Sequence, residues 1–112
     1  MSDPTRPDSE VRAWVLAELR NARAAEDRWP ALERAHIVSQ PYVVLHTRVH
    51  LAMLRHALRE RDMGEAVGQV VRVVVAGPGS AVGKYPRGNS GRASMGLTET
   101  ADVPLELARL VR

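Results

Sequence analysis

The 112-residue sequence predicts an all-α fold, a small bundle of about four helices followed by a Gly-rich loop and a short last helix. In four successive segments, apolar residues recur three and four positions apart, which is the period of a helix lying on a core. Residues that start or stop helices, mainly Pro, Gly, Ser and Asp, separate these segments. A chain of this length supports one core, so we expect a single helical domain over residues 1–112.

The first predicted helix follows a flexible lead of residues 1–8. Asp8 or Ser9 is a suitable N-cap for it, because either side chain can accept a hydrogen bond from the first turn. Glu18 interrupts the apolar face of this helix. The other members of that face are Val11, Trp14, Val15, Leu19 and Ala22.

The second and third helices are separated by the sequence Ser39-Gln40-Pro41, which favours a turn. Asp27 can cap the second helix, and Pro30 fits in its first turn because proline there loses no helical hydrogen bond. The third helix extends from Pro41 to about Arg61 and is apolar over most of its circumference, so we expect it to be central. Its polar stripe consists of Arg48, Arg55 and Arg59.

The fourth segment is rich in valine, which favours strands, but its period is helical. The residues that follow the helical period are Met63, Ala66, Val67, Val70, Val71 and Val74. Beyond Ala76 the composition changes to Gly, Pro and Ser, so we expect a long loop over residues 77–103. A short last helix is predicted to start near Pro104.

Composition excludes several classes of function. The absence of cysteine excludes disulfides and thiolate metal sites. The net charge of +3 is not accompanied by a nucleic-acid-binding motif, so we do not expect nucleic acid as a partner. No apolar stretch approaches the roughly 20 residues that cross a bilayer, and the acidic start is unlike a signal peptide, so we expect a cytoplasmic protein without membrane attachment.

A Gly-rich segment ending in Gly83-Lys84 superficially resembles a phosphate-binding loop. In such a loop, four residues separate the first glycine from the Gly-Lys pair, and Ser or Thr follows the lysine. Here Pro78 stands at the position of that first glycine, and Tyr85 follows the lysine. The spacing therefore argues against nucleotide hydrolysis.

Histidines are concentrated in the predicted core. On a helical wheel His46 and His50 lie about 40° apart and opposite the arginine stripe, so both point into the bundle. Two histidines one turn apart can bind one metal ion. If the second and third helices form a hairpin that turns near Gln40, His36 lies at the level of His46, and Glu33 lies close to the level of His50.

Two carboxylates complete the predicted site. Glu33 and His36 have the Glu-x-x-His spacing that helical bundles use for bound metals, and a buried Glu18 would need a charged partner. The predicted ligands are His36, His46, His50, Glu18 and Glu33. Nitrogen and oxygen ligands suit iron, copper or zinc. A metal-free hydrogen-bonded network, or a different helix register, remains an alternative.

Three stretches resemble a bacterial family of domains of unknown function, family 3703: LERAHIVSQ, HTRVHLAMLRHALRERDMGEAVGQVVR and GNSG. The resemblance covers about residues 16–95, and the loop Gly88-Asn89-Ser90-Gly91 matches the family's Gly-Asn-Thr-Gly. The sequence departs from the family pattern directly after this loop. The resemblance implies that four residues occupy family positions, namely Glu18, His36, His46 and His50. It supports the fold and these positions and implies no reaction.

Two functions follow as hypotheses. The first is a metal-binding protein, which would be a metal-dependent enzyme, with oxidoreductase chemistry favoured, if an open coordination position lies beneath the Asn89 loop. Its partner would then be an unidentified small-molecule substrate. The second is a metal-free helical interaction module whose arginine face meets an acidic partner. A homodimer would form through the valine-rich fourth helix.

Overall fold

The structure, a computed structural model, describes residues 6–112, apart from the side chains of residues 76 and 77. It has four helices and no strand in this range, so the predicted all-α class is confirmed. The helices are α1 (Ser9–Ala24), α2 (Trp29–Ser39), α3 (Val43–Arg59) and α4 (Met63–Ala81), and a 3-10 turn follows at Leu105–Leu107. Residues 1–5 of the predicted flexible lead lie outside the described residues.

Helices α1 and α2 begin close to where the sequence predicts. Asp8 is the N-cap of α1, and its side chain accepts a hydrogen bond from the Val11 amide at 2.9 Å. At the start of α2 the Asp27 carboxylate accepts from the Trp29 amide at 3.1 Å. Both contacts satisfy amide groups that have no partner within the helix.

Helix α3 packs between α2 and α4. Its predicted polar stripe lies in solvent, since Arg48, Arg55 and Arg59 are all exposed. On the opposite side, Val49, Met53 and Ala57 are fully buried. His46 and His50 are also buried, at 6% and 2% exposure. The wheel therefore assigned the faces of α3 correctly.

Helix α4 ends at Ala81, whereas the predicted loop begins at residue 77. The Gly- and Pro-rich composition suggested an earlier end, but Gly83 has φ +72° and closes the helix five residues later. The Lys84 amide donates to the Gly79 carbonyl at 2.8 Å and the Gly83 amide donates to the Ser80 carbonyl at 3.2 Å, which is a Schellman cap. The extra turn places Ser80 in the interior.

The two faces of α4 have an unusual polarity. The face that we call the valine face is exposed by 44% to 71%, and it consists of Val67, Val70, Val71 and Val74. The opposite face is buried although it carries Glu65, Gln69 and Arg72. This arrangement follows from what α4 packs against, because its buried side faces the histidines of α3.

The segment after α4 returns across the bundle. Residues 82–104 form turns without regular structure, and the predicted last helix is the short 3-10 turn preceded by Pro104. Leu107 and Leu110 bury their side chains in the core and close it. Within residues 6–112, no helix combines the length and the apolar character that crossing a membrane requires.

Candidate metal centre

Three histidines meet at the centre of the bundle. His36 comes from α2, and His46 and His50 come from successive turns of α3. Their Nε2 atoms form a nearly equilateral triangle, with separations of 3.0 Å from His36 to each of the others and 3.1 Å between His46 and His50. The structure therefore brings together the histidines that the helix pairing predicted.

The other ring nitrogen of each histidine is held by a group outside the triangle. The three pairs are His36 Nδ1 with the Asn89 carbonyl at 2.7 Å, His46 Nδ1 with the Ser80 hydroxyl at 2.8 Å, and His50 Nδ1 with Gln69 Oε1 at 2.7 Å. Such partners fix the orientation of an imidazole ring and its tautomer.

The partners indicate where the ring protons are. The Asn89 carbonyl can only accept. The Ser80 hydroxyl donates its own hydrogen to the Gln40 carbonyl, so towards His46 it accepts. The Gln69 amide nitrogen donates to Glu65 and to the Gly91 carbonyl, both at 2.8 Å, so its oxygen faces His50. The tautomers assigned from this network carry the proton on Nδ1 in all three rings.

This assignment leaves three Nε2 lone pairs facing one another with no hydrogen between them. Neutral imidazole has one N–H group, and each ring has already used it at Nδ1. Three acceptors about 3 Å apart in a buried site repel one another, because nothing in the low-dielectric surroundings screens them. A cation at the centre of the triangle would remove this repulsion.

A proton does not meet this requirement at neutral pH. Burial is the largest cause that lowers the pKa of His46 to about 3 and that of His50 to about 4. The pKa of His36 also lies well below its usual value because of burial and its two histidine neighbours. All three rings are therefore neutral near pH 7 and present free lone pairs, as metal ligands must.

The triangle has the dimensions of a metal site. With metal–nitrogen bonds of about 2.05 Å, two histidine nitrogens lie about 3.3 Å apart in a tetrahedral site and about 2.9 Å apart on an octahedral face. The observed separations fall between these values. Among the histidines and carboxylates that the structure describes, these three histidines form the cluster whose ligand atoms lie close enough to share one ion. The three histidines fit a first-row divalent metal.

A network of charged and polar side chains holds Gln69, the partner of His50, in place. Glu65 accepts from the Gln69 amide, from the Ala93 amide at 2.8 Å and from Arg92 Nε at 2.8 Å. The guanidinium of Arg92 also lies 3.7 Å from the centre of the Trp29 ring. The hydrogen bonds from Arg92, Gln69 and Ala93 lower the pKa of the Glu65 carboxyl although its burial opposes this. Glu65 therefore orients Gln69, and Gln69 orients His50.

The Gly88–Gly91 loop covers the cluster. The Asn89 side chain fixes the loop by donating to the carbonyls of Gly96 and Glu99 at 3.0 and 2.7 Å. Gly91 has φ +84°, and a Cβ placed on it would lie 2.6 Å from the His36 ring. Only glycine allows the backbone to approach the imidazole this closely.

The two predicted carboxylates are not brought to the cluster. Glu18 pairs with Arg34 at 2.9 Å, and Glu33 pairs with Arg92 at 3.2 Å. These partners satisfy both charges, so neither carboxylate needs a metal. The Glu18 side chain is only 13% exposed, and Arg34 is the charged partner that this burial requires.

A cavity of about 540 Å³ opens beside the three histidines. Its wall is largely apolar and includes Val75, Leu97 and Pro86, with Arg72 and Thr98 among the polar members. This volume is in the usual range for small-molecule sites. A metal held by the three Nε2 atoms would keep its remaining positions available to a ligand in this cavity.

Sequence reasoning missed Ser80 and Gln69 as partners of the histidines. A signal for Gln69 existed, because Glu65, Gln69 and Arg72 follow the same helical spacing as the valines and form a second, polar stripe. Ser80 gave no signal, since it lies in a segment whose composition indicated a loop. The Asn89 loop lies directly against the cluster, because His36 donates a hydrogen bond to the Asn89 carbonyl.

Comparison with known proteins identifies the family. The model of a family described as "Protein of unknown function (DUF3703)" matches residues 9–111, so the chain belongs to this family. Neither the curated proteins nor the solved structures include a match.

Proposed function

We propose that this member of the DUF3703 family is a metalloprotein that binds one divalent first-row transition metal through the Nε2 atoms of His36, His46 and His50. The observation that carries the proposal is the triangle of Nε2 atoms, 3.0 to 3.1 Å apart in a buried site, together with the Nδ1 contacts that assign the ring protons to the outer nitrogens. A metal removes the repulsion among their lone pairs. Imidazole ligands suit iron, copper and zinc, so the ligand set leaves these three as candidates.

We further propose that the metal is catalytic. Three protein ligands leave at least one coordination position open, which is typical of catalytic rather than structural sites. A bound metal would polarise a ligand or activate water there, and iron or copper would add redox chemistry. The chain's own contribution is to hold the three rings, to keep them neutral and to enclose the ligand in a largely apolar cavity.

The alternative is a metal-free interaction module with a buried histidine network. In such a network, we expect hydrogen bonds to join the ring nitrogens that face one another, so that at least one histidine donates to another. The three outward Nδ1 contacts argue against this, because they use every ring proton and leave the inner nitrogens without donors. The exposed arginines of α3 are the surface that the alternative would use.

Elemental analysis of untagged protein tests the proposal. We compare the parent with a His46→Ala/His50→Ala double variant and with His56→Ala as matched control, because His56 is the fourth histidine and lies outside the cluster. We expect about one metal per chain in the parent and in the control, and none in the double variant.

Two further variants test the ligand set. Glu18→Gln and Glu33→Gln should keep the full metal content, since both carboxylates pair with arginines. Loss of metal from either variant would mean that the substituted carboxylate is also a metal ligand. A parent that contains no metal and takes up none of the added iron, copper or zinc would refute the metalloprotein and leave the interaction module.

A further inference from the structure

Arg72 is a buried cation on the wall of the cavity beside the histidines. Its residue is only 8% exposed, and it lines the cavity together with His36 and His50. The guanidinium donates to the Gly68 carbonyl at 3.2 Å and to the Met95 carbonyl. Arginine has five N–H donors, so these two contacts leave donors without a hydrogen-bond partner among the residues that the structure describes.

Carboxylates balance the charge of Arg72 only in part. Glu65, on the same helix, attracts Arg72 electrostatically, but its carboxylate is hydrogen-bonded to Arg92, Gln69 and the Ala93 amide. Within residues 6–112, Arg72 forms no ion pair. The hydrogen bonds of Arg72 go only to neutral carbonyls, and burying a guanidinium is costly, so an anionic ligand in the cavity would stabilise it.

The proposed metal adds to the same imbalance. Three neutral imidazoles leave a divalent ion with both of its positive charges, and Arg72 contributes a third on the same cavity. An anionic ligand would therefore interact with the metal and with the guanidinium at once. Arginine is suited to carboxylates, because its planar fork can donate two parallel hydrogen bonds to the two oxygens.

The remaining wall of the cavity limits the ligand further. Val75, Leu97 and Pro86 offer apolar surface, and the volume of about 540 Å³ admits a small organic molecule. We infer that the site binds a small organic carboxylate with an apolar body, whose carboxylate is anchored by Arg72 beside the three-histidine centre. The inference rests on the proposed function for the metal's share of the binding and on Arg72 for the rest.

Titration with hexanoate tests this inference, with hexanamide as the neutral probe of the same shape. Isothermal calorimetry is run on chelator-treated protein and on protein loaded with zinc. We expect hexanoate to bind both forms, with a Kd of about 1 mM or tighter, and hexanamide to bind at least about tenfold more weakly. Zinc should tighten hexanoate binding.

Variants locate the binding. Arg72→Gln should weaken hexanoate binding at least about tenfold, whereas Arg48→Gln, on the exposed stripe of α3, should leave it unchanged. Arg72→Lys should retain part of the affinity because it keeps the charge without the fork. Should Arg72→Gln fail to fold, Val75→Trp provides a second test. Val75 lines the cavity and is 46% exposed, so we expect a larger ring at this position to block hexanoate while Arg72 stays unchanged.

The outcomes separate this inference from the metal proposal. Equal binding of hexanoate and hexanamide, or unchanged binding in Arg72→Gln and Val75→Trp, would overturn the carboxylate site even if metal content is stoichiometric. Hexanoate binding that requires Arg72 in a protein that takes up no metal would support the carboxylate site and refute the metalloprotein.

Discussion

Acidification should destabilise the metal-free protein through its histidine cluster. In the folded state the pKa of His46 is about 3 and that of His50 about 4, both lowered mainly by burial from a usual value of 6.5. A lowered folded-state pKa means that the unfolded chain binds protons more readily. The free energy of unfolding is therefore unaffected by these two histidines above pH 6.5, and it decreases as the pH falls towards their folded-state pKa values.

The magnitude follows from these values. At about pH 5 the histidines are protonated in the unfolded chain and still neutral in the folded one. His46 and His50 therefore each lower the free energy of unfolding by about 2 kcal/mol, or about 4 kcal/mol together. His36 acts in the same direction. A domain of this size has a free energy of unfolding of about 5 to 15 kcal/mol. The cluster therefore controls a large part of the stability at about pH 5.

Urea unfolding in the presence of chelator, followed by circular dichroism between about pH 7.5 and about pH 5, measures this loss. A His46→Gln/His50→Gln variant should lose about 4 kcal/mol less over the same range. His56→Gln should reduce the loss by less, because Glu60 opposes the effect of burial on its pKa. A parent whose stability is constant over this range would refute the lowered pKa values and, with them, the argument that the inner nitrogens are unprotonated.

Three other predictions concern the support of the site and the outer face of α4. Gly91→Ala should lower the free energy of unfolding by about 2 kcal/mol or more, because a Cβ would overlap the His36 ring, whereas Gly64→Ala should change it by less than about 1 kcal/mol; urea unfolding measures both. Arg92→Gln leaves the buried Glu65 carboxylate without its cation and should cost about 2 to 3 kcal/mol in the same assay, while a neutral effect would mean that Gln69 and Ala93 satisfy Glu65 alone. A homodimer through the valine face stays a prediction. Analytical ultracentrifugation should show a dimer for the parent and a monomer for Val71→Glu. A parent that sediments as a monomer would refute it.

The sequence alone predicted the helices and the meeting of the three histidines. These features depend on local geometry, because the helical period determines that His46 and His50 share a face. The turn at Gln40 then determines that His36 lies opposite them, since the two helices of a hairpin run antiparallel from a common point. The structure confirms both the faces and the pairing.

Tertiary structure decided what surrounds the histidines. Helix α4 has a polar stripe and an apolar stripe, and both follow the helical period. The polar stripe is the buried one because its side chains form hydrogen bonds with residues distant in sequence, as Gln69 does with His50. The same holds for Glu18 and Glu33, whose arginine partners no local pattern identifies. Hydrophobicity alone would bury the valine face, but a buried histidine must place its Nδ1 proton on an acceptor. That requirement appears only once the helices are packed, and the buried side of α4 meets it with Gln69 for His50 and with Ser80 for His46.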